Sequence, residues 1–168
     1  MTTQELNNLI DKCVSIGKFI NEIEDNYSFC MIRANYIEKN SSLIIRYNSK
    51  QLVRPIAELL GGTIDDIYSS HGLVHNGIHW NAEHIHKSVA SLDEDAIIQL
   101  EKAYREIEEL AIANEADITI SPNAVVMTLK IPHKQLLKLL PAGEYDDDKV
   151  YIYLKYNSFD VAIFGKLR

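Results

Sequence analysis

The sequence predicts an α+β protein in which helices pack on an antiparallel sheet built from two copies of an α-β-β-α-β-β unit. Three observations carry that expectation. Segments of helical period alternate with short apolar strands in the same order twice along the 168 residues. The tripeptide KQL at 50–52 returns at 134–136, half a chain length later. Each half also ends in a stretch that reads as a hairpin, turning at Asn76-Gly77 and at Asn157-Ser158.

In the first half, Thr2 stands three residues before Glu5. At that spacing a hydroxyl and a carboxylate can each satisfy the other residue's backbone N–H, which starts a helix. Leu6, Leu9, Ile10, Cys13, Ile16, Ile20 and Ile23 then recur at steps of three and four. The pattern stops near Asp25-Asn26. Two β-rich runs follow, YSFCMIRAN and SLIIRYN, joined by YIEKNS. The first KQL helix comes next, with Pro55 near its first turn and Gly61-Gly62 as its stop. The closing hairpin then pairs His75 with Ile78, Val74 with His79 and Leu73 with Trp80.

The second half repeats the order. Ser91 and Glu94 again have the capping spacing, and Asp93, Glu94 and Asp95 suit the positive end of a helix dipole. Ile97, Leu100, Tyr104, Ile107 and Ala111 form the apolar stripe. Strands ADITIS and AVVMTLKI meet at Ser121-Pro122-Asn123, a tight turn. The second KQL helix ends before Pro141. In the last hairpin, Tyr156 opposes Phe159, Leu154 opposes Val161 and Ile152 opposes Ile163. These six and Val150 make an apolar face. The other face carries Tyr151, Tyr153, Lys155, Asp160, Ala162 and Phe164, with Lys155 across from Asp160. The expected division is 1–84 and 85–168, two pseudo-symmetric halves of one compact domain. In element order the chain resembles the tandem strand-helix-strand-strand modules of some regulator ligand-binding domains. It also resembles the helix-plus-twisted-sheet of type III secretion chaperones. It shares no motif residues with either.

Composition narrows the function. A net charge of −7 disfavours general nucleic-acid binding. No apolar run approaches a membrane span, and the N-terminus lacks the basic and apolar regions of a signal peptide, so a cytoplasmic location is expected. Cys13 and Cys30 lie within apolar patterns and read as small buried hydrophobes. Residues 27–62 hold Arg33, Lys39, Arg46, Lys50 and Arg54 against Glu38 and Glu58, a local excess of positive charge on an acidic chain. Arg33, Arg46 and Arg54 are therefore candidates to receive a nucleotide or other small anion in a cleft between the halves.

Five of the six histidines fall within HGLVHNGIHWNAEHIH at 71–86. Read as a helix, His71, His75, His79 and Glu83 share a ridge, but Gly72, Asn76 and Gly77 make that helix poor. A shorter helix from Asn81 would set Glu83 and His86 on one face near His79, ligand types suited to a divalent metal. Read as a hairpin, His75 and His79 take opposite faces. The hairpin is the expected reading, with no cofactor. The metal-dependent hydrolase using His71, His75, His79, Glu83 and His86 is the third-ranked alternative. Asp65-Asp66 and Asp146-Asp147-Asp148, which fall in matching places, read as turns.

No nucleophile elbow, phosphate loop or dinucleotide fingerprint is visible. The leading expectation is a non-catalytic binding protein, a homodimer that captures another protein through Tyr151, Tyr153, Phe164 and Trp80. Inhibitors, immunity proteins, secretion chaperones and phage counter-defence proteins share this class. Solvated sheet faces are normally polar, so three aromatics on one imply a cover: a helix of the chain itself, a second subunit, a partner or a flat ligand.

Overall fold

The computed structural model describes residues 1–23, 27–37, 40–47, 73–75, 78–82, 94–140, 151–156 and 159–166. Among the described residues the helices are α1 (Thr3–Glu22), α2 (Glu94–Asn114) and α3 (His133–Leu139). The strands are β1 (Tyr27–Asn35), β2 (Asn40–Tyr47), β3 (Leu73–His75), β4 (Ile78–Ala82), β5 (Asp117–Ile120), β6 (Ala124–Pro132), β7 (Tyr151–Tyr156) and β8 (Phe159–Lys166). The α+β class is as expected. The first KQL helix, Ser91, the two Asp clusters, Gly61-Gly62 and Val150 lie outside the described residues.

Local signals set the ends of the elements. Thr2 caps α1: its hydroxyl accepts from the Glu5 N–H at 3.1 Å while Glu5 accepts from the Thr2 N–H at 2.8 Å. At the end of α2, Glu115 takes a left-handed φ of 50°, and the Ala116 N–H reaches back to the Ala111 carbonyl at 2.9 Å. That is a Schellman stop made without glycine. The β5–β6 turn is closed by Ser121, whose N–H donates to the Ala124 carbonyl at 2.9 Å.

The strands form one sheet in the order β3-β4-β2-β1-β5-β6-β8-β7. Both hairpins have the expected register, from Leu73↔Trp80 to His75↔Ile78 and from Tyr151↔Phe164 to Tyr156↔Phe159. The expectation of an antiparallel sheet is corrected: the sheet is mixed, because β2 runs parallel to β4 and β6 parallel to β8. In the second half the reason lies at α3. The chain passes from β6 through α3 to the outermost strand, β7, skipping one strand's width, and β8 then fills the gap between them. A helix-containing connection permits this where a tight turn cannot. Gly165 makes the crossing possible. A Cβ there would lie 2.9 Å from the backbone of His133 and from the Ile131 carbonyl oxygen, neither of which can yield.

The apolar stripes of both long helices are buried as expected, save that Ile16 is only partly buried against the core. Leu6, Leu9, Ile10, Cys13 and Ile20 face the core from α1, joined by Val14 and Gly17. Ile97, Leu100, Tyr104, Ile107 and Ala111 do so from α2. The helices cross over one another's strands. α1 packs on β5 and β6, whereas α2 packs mainly on β1 and β2 and reaches β5. Gly17 brings α1 against the Phe159 ring, and the Tyr156 hydroxyl donates to Asp11. Among the described residues, no helix is long and apolar enough to cross a membrane.

Candidate binding surfaces

Strand alternation divides the second half of the sheet into two faces. Ile118, Ile120, Val125, Met127, Leu129, Ile152, Val161 and Ile163 are buried in the core that the helices cover. Their neighbours in sequence belong to the open face. Register then assembles rows across the strands. Tyr153 pairs with Ala162, Ala162 with Val126, Val126 with Thr119, and Thr119 with Arg33. The adjacent row runs Tyr151, Phe164, Thr128, Asp117. Tyr153 is 57% exposed, Val126 39% and Tyr151 36%. The Tyr151 and Phe164 rings lie 5.4 Å apart at their centroids. The Tyr153 hydroxyl donates to Asp160 Oδ1 at 2.5 Å, which holds the phenol above its ordinary pKa and fixes the ring's tip. Large apolar surface is thus presented on strands, where its shape is set by the sheet.

The remaining candidates are distributed more widely. Trp80 sits on β4 opposite Ile45, toward the other edge of the sheet, so it does not join the aromatic patch. Its register position has the parity of the buried Leu43, which pairs with Ile78. Arg33 is exposed at the middle of the sheet; Arg46 lies opposite Phe29 on β2; Arg54 is outside the described residues. For the histidines, the helical reading is corrected. Residues 73–75 and 78–82 are strands, so the ridge of steps of four does not exist, and Asn81 extends a strand instead of opening a helix. The glycines in this stretch of sequence disfavour helix, and an Asn-Gly dipeptide favours a hairpin. His75 and His79 take register positions of opposite parity. His71, Glu83 and His86 lie outside the described residues.

A concavity lies between the β1–β2 turn and the C-terminal end of α2. The β1–β2 turn projects Tyr36 and Ile37 toward α2, leaving a cleft of about 680 Å³ lined by Asn35, Tyr36, Ser41, Ala111, Ile112 and Lys130, among others. The turn is held in place by two hydrogen bonds, from the Ile37 N–H to Asp117 Oδ1 at 2.7 Å and from the Tyr36 N–H to the Ala116 carbonyl at 3.2 Å. Lys130 stands over the Tyr36 ring at 5.4 Å. Arg33 is not among the described residues that line this cleft. Sequence reasoning missed it. Its one local signal is Ile112, a large apolar residue off the α2 stripe and 62% exposed.

Two buried groups are chemically quiet. Burial, then the nearby Glu106, pushes the Cys13 thiol up to about 12. It stays protonated and poorly nucleophilic at neutral pH. An unfolded thiol ionises near 9.0, so Cys13 leaves stability untouched below that pH and lowers it as pH rises toward 12. Cys13→Ala should therefore flatten the alkaline loss of unfolding free energy by up to about 1.4 kcal/mol per pH unit above 9. Urea titrations of both proteins at stepped pH read this, and identical slopes would refute it. His133, at the start of α3, has both ring nitrogens shielded from solvent without a hydrogen-bond partner. That is a local cost of about 1–3 kcal/mol where the chain crosses β8.

Comparison of the chain with known protein families, curated proteins and solved structures found no match.

Proposed function

We propose that the chain is a non-catalytic binding protein that docks another protein on the open face of its sheet, around Tyr151, Tyr153, Phe164 and Val126. The carrying observation is the adjacency of these side chains on the face away from the helices, with both tyrosines exposed. Tyrosine suits such a surface because the ring gains from burial while the hydroxyl keeps a polar partner, as Tyr153 does with Asp160. Inhibitor, immunity, chaperone and phage counter-defence proteins act in this way, and the reading includes a homodimer in the cytoplasm.

We further read residues 1–84 and 85–168 as copies of one unit. The strand order supports this: outward from the β1–β5 seam it runs β1, β2, β4, β3 on one side and β5, β6, β8, β7 on the other. The parallel pair falls at the same place on both sides. Across the seam Ile32 pairs with Ile120 and Ala34 with Ile118, symmetrically about Arg33 and Thr119.

Native mass spectrometry of the untagged chain tests the binding reading. The expected spectrum shows a dimer for the wild type and for Tyr151→Ser/Tyr153→Ser alike, with melting temperatures within a few degrees of each other. That result leaves the patch free for another protein. A dimer lost in the double variant would make the patch a self-interface and overturn the docking reading. Unfolding of the double variant would make the tyrosines core residues and remove the reading's support. A metal mass lost on chelation would restore the histidine cluster as the site.

A further inference from the structure

We propose that the cleft between the β1–β2 turn and the C-terminal end of α2 binds a small apolar carboxylate, with its acid group on Lys130 and its body against Tyr36, Ile37 and Ile112. No residue of the aromatic patch lines this cleft, so the site stands or falls separately from protein docking.

Charge selects the ligand. Lys130 is exposed and makes no ion pair among the described residues; its ammonium rests only on the Tyr36 ring. Among the described lining residues the one carboxylate, Glu108, is already engaged by Arg105 at 2.7 Å. Among the described residues lining the cleft, an incoming acid therefore meets one uncommitted cation and no free carboxylate. The negative end of α2 is also muted. The Leu110 carbonyl accepts from the Asn114 side chain, the Ala111 carbonyl from the Ala116 N–H, and the Ile112 carbonyl from the Glu115 N–H. With these acceptors occupied, the dipole that would repel an anion is reduced.

Shape selects the body. Tyr36, Ile37 and Ile112 expose between 36% and 62% of their surface around one concavity, and the turn that presents the first two is held by two hydrogen bonds, one to the Asp117 side chain and one to the Ala116 carbonyl. The corresponding β5–β6 connection is only Ser121-Pro122-Asn123, so the longer β1–β2 turn is what builds the wall. A volume of about 680 Å³ suits a ligand of one or two rings.

The test titrates naphthoate, naphthylmethanol and naphthylmethylammonium into the isotope-labelled full chain and follows backbone amide shifts. Naphthoate should shift Tyr36, Ile37 and Ile112 saturably and bind about tenfold tighter than the alcohol, the usual scale of one charge-assisted contact. Lys130→Gln should erase the advantage of the acid over the alcohol. Ile112→Asp should weaken both, and each variant should melt as the wild type does because both side chains are exposed. The proposal is overturned if the alcohol or the ammonium binds as tightly as the acid, if Lys130→Gln leaves the acid unaffected, or if no saturable shift occurs at these residues.

Discussion

Gly17→Leu lowers the unfolding free energy by about 3 kcal/mol and the melting temperature by about 10 °C. Glycine inside a helix normally costs about 1 kcal/mol relative to alanine, so replacing it should help if nothing else mattered. Here a Cβ would stand 2.6 Å from two ring carbons of Phe159 and 3.4 Å from Ile120 Cγ2. Phe159 is buried in the same core and cannot swing into solvent. Overpacking therefore outweighs the gain in helix propensity, and a leucine adds three more carbons to the collision. Phe159→Leu in the same chain should recover part of the loss, because the smaller side chain vacates the contested volume. Thermal melts of the single and double variants measure both effects. A Gly17→Leu protein that melts with the wild type would mean that α1 does not close on the Phe159 ring.

Ile32→Ala should cost about 2–5 kcal/mol, the range for emptying a fully buried aliphatic position. Ile32 is wholly inaccessible and pairs with Ile120 on the central seam of the sheet. Because α1 packs on β5 and β6 and α2 on β1 and β2, damage at the seam cannot stay on one side. Trp80 fluorescence reports the first half, and far-ultraviolet circular dichroism reports the whole chain. Both transitions should move to the same lower midpoint in urea. Separated midpoints would mean that the halves unfold independently and that the crossing of the helices contributes little.

What could be read from the sequence was local. The last hairpin was legible to the residue because VYIYLKY and FDVAIFGK alternate strictly around Asn157-Ser158, which sets both register and faces. The α1 cap was legible because Thr2 and Glu5 need only each other. The parallel pairs were not, since they depend on where α3 lets the chain re-enter the sheet. Gly165, a lone glycine in an apolar strand, was the available hint of a close backbone crossing. An amphipathic stripe likewise says that a helix is buried, not against which strands, so the crossing of α1 and α2 had no signal. The aromatic patch was found because register alone predicts a face. The cleft was missed because Tyr36, Ile37, Ile112 and Lys130 come from a turn, a helix and a strand that only the fold brings together.

The central claim is that the open sheet face is the working surface. Quantitative capture from an extract of the cells that make the protein tests it most directly. Three folded baits are compared: wild type, the sheet-face variant Tyr151→Ser/Tyr153→Ser, and Ile98→Ser, which removes an exposed apolar side chain from α2. The predicted result is one partner protein retained equally by wild type and Ile98→Ser, and lost at least tenfold from the sheet-face variant, the scale expected when two aromatic anchors leave an interface. Equal retention by all three baits, or a wild type that captures nothing, would contradict the account.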